Sequence, residues 1–465
     1  MRPIGHARNA ALLLLAAFAL LASLAACTRT AAPAAVPPPA PPAFAADQPI
    51  RPATSIVVRT RNAGNLDAVA ADARSRGYTV ASRVETPPAL NLVPPAGSTI
   101  ARAITDFRGK PGVLYAEPSY ALRGADTPAD ALFAQEQPYL SAVHAPEAWD
   151  IETGRPDVIV AVLDTGIDLT HPDLQGRIWT NPGEIPNNGI DDDHDGCIDD
   201  DHGCAFVPDP APGCAAATDG NVHDDLGHGT FVSGIIAAGG NGHGMVGVAR
   251  GVTIMPVKVL DCSGGGSTFA LAQGILYAVQ HGAAVLNVSL GGPVDSAYIK
   301  EAIRIARDDY GVLLVAATGN KGGAVEYPAR YPNVLAVGAT SADPDRRASF
   351  SDTGPEVDVV AVGEHIIGTV PKGTCRTFLA CLDGEDSYAA GDGTSFAAPQ
   401  VTGLVALMLS RRRALSPDSI VTIIKATADP VPAGDRPDWA GAGRVNMLRA
   451  LVPQFRLAVP GTVRE

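Results

Sequence analysis

The sequence is poor in aromatic side chains, and in basic side chains relative to acidic ones. Phe, Trp and Tyr make up 5% of the 465 residues, and 35 Lys and Arg stand against 49 Asp and Glu, a formal net charge of −14. A chain with this balance lacks the basic face that nucleic acids require, so no nucleic-acid partner is expected. Acidic chains often hold cations, which directs attention to clusters of carboxylates.

Long hydrophobic runs are also missing. The apolar run Ala10–Ala22 is too short to cross a bilayer comfortably, and it follows a segment that carries Arg2 and Arg8. This pattern is typical of a secretory signal. The run leads into Leu24-Ala25-Ala26-Cys27, which resembles a bacterial lipobox. The resemblance predicts a lipoprotein signal peptide over residues 1–26, whereas the alternative is an ordinary signal with an incidental cysteine.

Lipidation of Cys27 would anchor the exported chain firmly, because one modified residue carries several acyl chains. Residues 27–53 are rich in Ala and Pro and are predicted to form an extended tether. We therefore expect a protein held at the cell envelope, at the outer membrane, in the periplasm or at the surface. Cleavage beyond the tether would release it.

The remaining six cysteines contain no Cys-x-x-Cys pair that would suggest a zinc site. An even number in an exported chain favours disulfides, but the sequence does not choose among the possible connectivities. Cys375 and Cys381 are close enough for a local loop. Four cysteines are left without an assigned partner: Cys197, Cys204, Cys214 and Cys262.

Two folded regions are predicted beyond the tether. Residues 54–122 have the order βαββαβ, which fits a small ferredoxin-like α/β unit. Residues 138–453 alternate short β-branched runs with helices, which favours an α/β fold with a mostly parallel sheet and helices on both faces. Residues 123–137 are a linker with an expected processing site, and residues 454–465 are a C-terminal tail.

The stretch Gly391–Gly403 combines glycines that permit a tight turn with the start of an apolar helix. Thr394 and Ser395 can cap this helix, whose apolar surroundings on all sides predict burial. Ser395 would lie at the positive end of the helix, where a developing anion is favoured. It is a candidate nucleophile, and a capping serine is the alternative.

Three further polar residues stand where a strand ends or a helix begins: Asp164, His228 and Asn320. Reactive groups in parallel sheets collect at the carboxyl ends of strands. Each residue has an ordinary alternative when taken alone. The aspartate could serve a phosphate or metal site, the histidine could be a cap or a metal ligand, and the asparagine could belong to a turn.

The order Asp, His, Asn, Ser resembles that of the subtilisin-like serine proteases. The matching segments fall within about residues 135–450 and are Val162-Leu163-Asp164-Thr165-Gly166-Ile167-Asp168, His171-Pro172-Asp173-Leu174, Gly227-His228-Gly229-Thr230, Ala317-Thr318-Gly319-Asn320 and Gly393-Thr394-Ser395-Phe396-Ala397-Ala398-Pro399. The resemblance implies a serine endopeptidase. Ser395 would attack the peptide carbonyl, His228 would move the proton, and Asp164 would orient the imidazole. The Asn320 amide and the Ser395 backbone N–H would bind the oxyanion.

The same resemblance implies how a substrate is held. Ser289, Leu290 and Gly291 match the strand that pairs with an extended peptide. Glu326 falls in the segment that forms the floor of the primary specificity pocket, which predicts a preference for Arg or Lys before the scissile bond. In the alternative, Glu326 turns outward and pairs with Lys321 or Arg330.

Residues 54–122 resemble the inhibitor-type prosegment of this family, most clearly in Gly112–Pro118. Such a segment assists folding and then blocks the cleft until it is cut. The resemblance implies a self-processing zymogen with three partners: protein or peptide substrates, its own prosegment as an intramolecular inhibitor, and the membrane through Cys27 before processing. We expect a monomer.

Two structural calcium sites are expected. One is an EF-hand-like acidic loop with predicted ligands Asp191, Asp193, Asp195 and Asp199. This loop departs from a full EF-hand, because His202 stands at its last position and no helices flank it, and a solvated acidic loop is the alternative. The other site is implied by the family resemblance, with Gln135, Asp173 and Asn241 as side-chain ligands.

Two other classes of function could use the same residues. A surface protein could keep this fold as a catalytically silent scaffold, and a hydrolase of esters or other acyl compounds could use the same triad. The complete set of catalytic residues argues against the first class. The strand Ser289–Gly291 favours a peptide substrate over the second.

Overall fold

The computed structural model describes residues 55–119, 128–382, 386–432 and 438–452. The predicted signal peptide, Cys27, the tether, residues 123–127 of the linker and the C-terminal tail lie outside the described residues. Within the described part of the chain, no helix combines the length and apolarity needed to cross a membrane.

Residues 55–119 form a four-stranded antiparallel sheet with two helices, and the predicted order βαββαβ is confirmed. The elements are β1 Ile56–Thr60, α1 Leu66–Ser75, β2 Thr79–Glu85, β3 Pro88–Val93, α2 Ile100–Phe107 and β4 Val113–Pro118. The strand order is β2-β3-β1-β4, so β1 pairs on both sides. Alternate residues of β1 join side chains of the helices in a core of their own, which contains Ile56, Val58, Leu66 and Phe107.

The larger region holds an eight-stranded sheet in the order β12-β11-β10-β9-β5-β8-β6-β7. Its strands are β5 Ile159–Asp164, β6 Ala205–Val207, β7 Ala217–Asp219, β8 Thr253–Lys258, β9 Val285–Val288, β10 Leu313–Ala317, β11 Val334–Thr340 and β12 Val359–Val362. All the neighbouring strands pair in parallel except β6 and β7. The predicted fold class is therefore confirmed.

Helices cover both faces of this sheet. They are α3 Phe133–Glu136, α4 Pro138–Ala142, α5 Ala145–Trp149, α6 His228–Ala237, α7 Thr268–Gln280, α8 Ala297–Arg304, α9 Thr394–Arg411, α10 Pro417–Thr427 and α11 Met447–Leu451. Strand β5 shows why both faces are apolar: Val160 and Val162 enter one hydrophobic core, and Ala161 and Leu163 enter the other. A strand buried on both sides reads as a continuous apolar run.

A small third sheet and the pairing of four cysteines were not predicted from the sequence. A three-stranded antiparallel sheet in the order β13-β15-β14 consists of β13 Ile366–Thr369, β14 Ala380–Cys381 and β15 Tyr388–Gly391. The expected local bridge between Cys375 and Cys381 is present. The four cysteines left open pair as Cys197–Cys204 and Cys214–Cys262.

Candidate active site and cation sites

Asp164 and His228 meet at the carboxyl edge of the large sheet. Asp164 is the last residue of β5 and is fully buried, and His228 is the first residue of α6. The Nδ1 of His228 lies 2.7 Å from the Asp164 Oδ1 atom, which also accepts a hydrogen bond from the Thr165 N–H. The carboxylate therefore fixes the ring and leaves Nε2 as the nitrogen that can accept a proton.

A second carboxylate, Asp224, acts on His228 from the turn before α6. Burial is the largest influence on the imidazole and opposes its charge, but Asp164 and Asp224 outweigh it and raise the pKa of His228. Asp224 is buried and accepts hydrogen bonds from the Thr165 hydroxyl and from both the N–H and the hydroxyl of Thr230. The sequence analysis missed Asp224, although an acidic residue just before a predicted helix start is a recognisable signal.

Ser395 is the second residue of α9, and the residue after it lies near the same histidine. Its Oγ donates to the backbone carbonyl of Ser289 at 3.0 Å, and the Ser289 Oγ donates to the backbone carbonyl of Ser395 at 2.9 Å. The ring of Phe396, the next residue, lies 5.5 Å from the His228 ring, centroid to centroid. The predicted nucleophile and base are thus brought to one edge of the sheet. The serine hydroxyl is hydrogen-bonded there to the residue that follows β9.

The Asn320 amide is held by its oxygen. Its Oδ1 accepts from both the N–H and the hydroxyl of Thr394, each at 2.8 Å. The Nδ2 group is then the end that can donate to a bound anion. The preceding residue, Gly319, adopts a φ of +113°, and a Cβ there would lie 2.2 Å from the Asp352 carboxylate, so only glycine fits.

Two cavities share the strand segment that follows β9, and Ser395 lines the smaller of them. A cavity of 530 Å³ is lined by His228, Ser289, Leu290 and Gly291. Gly292 and Tyr327, next to this segment, exchange backbone hydrogen bonds at 2.9 Å, which fixes its outer end.

The second cavity, of 310 Å³, contains the predicted specificity residue. It is lined by Leu290, Gly291, Asn320, Lys321, Glu326 and Ser395 among others. Glu326 forms an ion pair with Lys321, and the two side chains are 13% and 70% exposed. Glu326 thus lines the cavity and also pairs with Lys321, and its role in specificity stays a prediction.

Asp352 places a further carboxylate behind this cavity, next to Gly319. Its Oδ1 accepts from the N–H groups of Lys321 and Gly323, and its buried Oδ2 has no hydrogen-bond partner among the described residues. Burial is the main cause that raises the pKa of Asp352, and the charge of Glu326 adds to it. Two carboxylates, Glu326 and Asp352, thus stand at this cavity beside one cation, Lys321.

Asp173 and Asn241 come together as predicted, but Gln135 does not join them. The Asn241 Nδ2 donates to Asp173 Oδ1 at 3.0 Å, and Tyr388 and the Met245 N–H donate to Oδ2. Gln135 is exposed in α3, and no hydrogen bond within the described ranges links it to either residue.

Asp130 takes the position that was expected of Gln135. It is buried, its Oδ1 accepts from the N–H groups of Asn241 and Gly242, and its Oδ2 is unpartnered among the described residues. Burial is the main cause that raises the pKa values of both Asp130 and Asp173. A cation at this loop would stabilise their charged forms, and Asp130, Asp173 and Asn241 are the three side chains that the structure brings together here.

The acidic loop converges differently from an EF-hand. Asp191 accepts from the N–H groups of Asp195 and Gly196, and Asp199 accepts from the N–H groups of Asn188 and Gly189. Both carboxylates thus hold turns rather than facing a common centre. The predicted roles of Asp191 and Asp199 as ligands beside Asp193 and Asp195 stay predictions.

Two groups of side chains do converge at this loop. Carboxylate oxygens of Glu184, Asp193 and Asp200 lie within 4.8 Å of one another, and so do ligand atoms of Asp193, Asp195 and His281. Glu184 and Asp200 are buried, and burial is the main cause that raises the pKa of Asp195 to about 6. Sequence spacing alone could not identify Glu184 or His281, which lie outside the acidic run.

Comparison with known proteins covers most of the larger region. The profile of the Subtilase family matches residues 155–446. The chain is 36% identical to thermitase of Thermoactinomyces vulgaris over 327 residues, which are 70% of this chain and 99% of thermitase. It is 40% identical to subtilisin Savinase of Lederbergia lenta over 297 residues, 63% of this chain and 92% of that protein. It is 34% identical to subtilisin E of Bacillus subtilis over 316 residues, 67% of this chain and 68% of that protein.

Proposed function

The chain belongs to the subtilase family and is a serine endopeptidase, and we propose that it cleaves peptide bonds through an acyl-enzyme on Ser395. The observation that carries this proposal is the 2.7 Å contact between His228 and the buried Asp164, at the sheet edge where Ser395 begins α9. A serine hydroxyl needs an adjacent base to become nucleophilic, and the base needs an acid that orients it.

In the proposed reaction, the Ser395 side chain rotates and breaks its hydrogen bond to the Ser289 carbonyl. The Ser395 hydroxyl then attacks the carbonyl carbon of the peptide. The Nε2 atom of His228 takes the hydroxyl proton as the C–O bond forms, and Asp164 stabilises the imidazolium. His228 then returns this proton to the leaving amine as the C–N bond breaks. Water then attacks the carbonyl of the acyl-enzyme ester and gives a proton to His228. His228 passes this proton to the Ser395 oxygen as the ester C–O bond breaks, which releases the carboxylic acid product and restores the Ser395 hydroxyl.

The charge that develops on the substrate oxygen would be met by two donors, the Nδ2 group of Asn320 and the backbone N–H of Ser395. Thr394 supports this role, because it occupies the acceptor end of the Asn320 amide with two hydrogen bonds and so fixes its orientation. A donor fixed in advance needs no reorganisation during the reaction, which is why such groups lower barriers.

We further propose that the enzyme prefers Arg or Lys immediately before the scissile bond. Glu326 lines the 310 Å³ cavity beside Ser395, and Asp352 adds a second carboxylate behind it. The ion pair between Glu326 and the largely exposed Lys321 is of the kind that contributes little, so a substrate cation can replace it at small cost.

Calcium is proposed at two places, both supported by donor chemistry. Asp130, Asp173 and Asn241 would hold one ion, and Glu184, Asp193 and Asp200 would contribute to a second. Carboxylate and amide oxygens are the ligands that calcium prefers. In each group one buried carboxylate oxygen, on Asp130 or Glu184, is unpartnered within the described part of the chain.

The proposal extends to how the enzyme is made. We propose that the chain is exported by a lipoprotein signal over residues 1–26 and lipidated at Cys27. We also propose that residues 54–122 inhibit the enzyme until it cleaves itself in the linker. The separate core of residues 55–119 supports a segment that folds as a unit. The Ser395→Ala variant is expected to accumulate with residues 54–122 attached when it is made in a host that lacks other proteases.

Two measurements test the central proposal. A serine-directed fluorophosphonate should label the processed protein at Ser395 and should not label Ser395→Ala. If the processed protein is not labelled, the protein is a catalytically silent scaffold. Casein digestion then separates the hydrolases, because an enzyme that cleaves small esters but leaves casein intact would be an esterase and not an endopeptidase.

A further inference from the structure

We propose that Phe378 is a positioning residue, which holds His228 and the start of α9 in place through a series of packed aromatic rings. This inference rests on the proposed function, because it assigns Phe378 a role in the reaction of Ser395. Phe378 belongs to the loop that the Cys375–Cys381 disulfide closes after β13. No step of the proposed reaction uses this loop directly.

Three phenylalanine rings, which we call the aromatic column, connect this loop to the active site. The Phe378 ring stacks on Phe231 of α6 at a centroid distance of 4.9 Å, and Phe231 stacks on Phe396 at 4.2 Å. The Phe396 ring in turn lies 5.5 Å from the ring of His228. Because Phe396 directly follows Ser395, the aromatic column reaches both the proposed base and the proposed nucleophile.

The three-stranded sheet packs tightly against two of these rings. Phe231 and Phe396 are both buried. A Cβ at Gly368 of β13 would overlap the Phe231 ring, and a Cβ at Gly391 of β15 would lie 2.6 Å from the Phe396 ring. The rings therefore occupy the space that side chains would take at these two glycines. In an interior packed this closely, a shift of one ring displaces its neighbour.

The loop also contacts the turn that precedes α6. A Cβ at Gly227, the last residue of this turn, would lie 2.9 Å from the Thr374 hydroxyl and 3.2 Å from the Phe378 ring. The Thr377 hydroxyl donates to the backbone carbonyl of Leu226 at 3.3 Å. The outer end of the aromatic column thus lies against the backbone that leads into the proposed base, which is the first residue of α6.

Two restraints hold the Phe378 ring in this position. Strand β14, which begins two residues later, pairs with β15, the strand that leads into α9. The disulfide joins the two sides of the Phe378 loop, and its Cys375 end is fully buried. A cross-link removes conformations that the loop would otherwise adopt. Because a displacement of about 1 Å in a reacting group can lower a rate about 100-fold, such restraints bear on catalysis.

The first test compares steady-state kinetics of variants on one peptide substrate, with kcat expressed per site titrated by fluorophosphonate. Phe378→Ala should lower kcat by about 2–10-fold at unchanged KM, the range that one aromatic contact is worth. Phe378→Tyr keeps the ring and should retain kcat. Replacing Cys375→Ser together with Cys381→Ser should lower kcat similarly. Adding Phe378→Ala to this pair should lower it no further, because the disulfide acts through Phe378.

The matched control is Phe206→Ala, which should leave kcat unchanged. Phe206 is also half-buried and contacts an aromatic ring, that of Tyr277 at 5.8 Å, but it lies on β6 near the edge of the large sheet. If Phe378→Ala does not fold, Phe378→Leu keeps the apolar bulk without the ring and provides the same comparison. An unchanged kcat in the Phe378 variant, an equal loss in Phe206→Ala, or a change confined to KM would overturn the proposal.

A second measurement does not depend on activity. In the full-length Ser395→Ala protein, the proton between His228 and Asp164 should give a far-downfield proton NMR signal. Phe378→Ala should broaden or remove this signal, whereas Phe206→Ala should retain it, and an unchanged signal would contradict the positioning role. If fluorophosphonate does not label the wild-type protein but the signal still depends on Phe378, the proposed function fails and the inference about the position of His228 stands.

Discussion

Ser395 and Ser289 exchange hydrogen bonds, each hydroxyl donating to the backbone carbonyl of the other residue at 3.0 and 2.9 Å. The exchange joins the start of α9 to the strand segment that lines the two cavities. The position of the proposed nucleophile is therefore tied directly to the backbone that would hold the peptide.

The first prediction tests this connection. Ser289→Ala removes one of the two hydrogen bonds but keeps the carbonyl that accepts from Ser395. We expect kcat to fall by about 2–10-fold with little change in KM, which corresponds to the net value of one hydrogen bond. Steady-state kinetics on a peptide substrate measures this, with Ser296→Ala, a helix cap, as the control. An unchanged kcat would show that the second hydrogen bond does not position Ser395.

Asn320→Ala should lower kcat by about 10²–10³, the magnitude measured in subtilisin itself for loss of one oxyanion donor. The effect should fall on kcat rather than KM, because the interaction is made mainly in the transition state. Thr394→Val serves as a milder companion, since it removes the hydroxyl that orients Asn320 but leaves its Nδ2. If both variants keep full kcat, the Asn320 amide does not contact the oxyanion.

The pH dependence of activity should reflect His228. The neutral ring is the base, so kcat/KM is lost as the pH falls through the pKa of His228. Because carboxylates raise this pKa, the midpoint of the acidic limb should lie above the ordinary value of about 6.5. Asp224→Asn removes one of the responsible charges and should move the midpoint downward. A wild-type midpoint at or below 6.5 would contradict the assignment.

Arg should be preferred over Leu before the scissile bond in an otherwise constant peptide series. Glu326→Gln keeps the size of the side chain and should lower the Arg-to-Leu ratio of kcat/KM by about 10–100-fold, the value of a hydrogen bond to a charged group. Lys321→Ala should raise the ratio, because it removes the internal competitor for Glu326. The assignment of Glu326 to the pocket fails if Leu is preferred, or if neither variant changes the ratio.

Removal of calcium should destabilise the Ser395→Ala protein, which cannot digest itself. An ion present at 100 times its Kd contributes about 2.7 kcal/mol to the free energy of unfolding. Asp130→Asn should lose part of this contribution, whereas Asp308→Asn, on an exposed helix end, should retain it. Denaturant unfolding with and without chelator is the measurement, and coincident curves for the parent protein would exclude structural calcium.

The sequence predicts the reactive edge of the sheet well because strand ends are local features. Asp164, Asn320 and Ser395 each stand at the junction of an apolar run with a turn or helix, and a parallel sheet brings such junctions to one side. The ligand sets are harder to predict because they depend on how loops fold against distant elements. Asp130 bonds to a loop more than a hundred positions away, and His281, which contacts the acidic loop, follows α7.

The acidic loop departs from the path that the EF-hand spacing assumes. Asp199 has a positive φ of 52° within the segment closed by the Cys197–Cys204 disulfide, and its carboxylate is turned toward Asn188 and Gly189. An EF-hand pattern assumes that the chain winds smoothly around one centre. The disulfide and the positive φ of Asp199 turn the chain away from such a path. The spacing of residues along the sequence does not reveal either feature.

The separate small core of residues 55–119 gives the proposed inhibitor a limited lifetime of its own. A unit of this size buries a smaller share of its surface than the large domain does, so its folded state is marginal. Once the linker is cut, this piece gains protection only while it stays associated with the enzyme. We therefore expect the liberated fragment to be the first protein that the mature enzyme degrades. Its unfolding rate would then determine the interval between cleavage of the linker and the onset of activity.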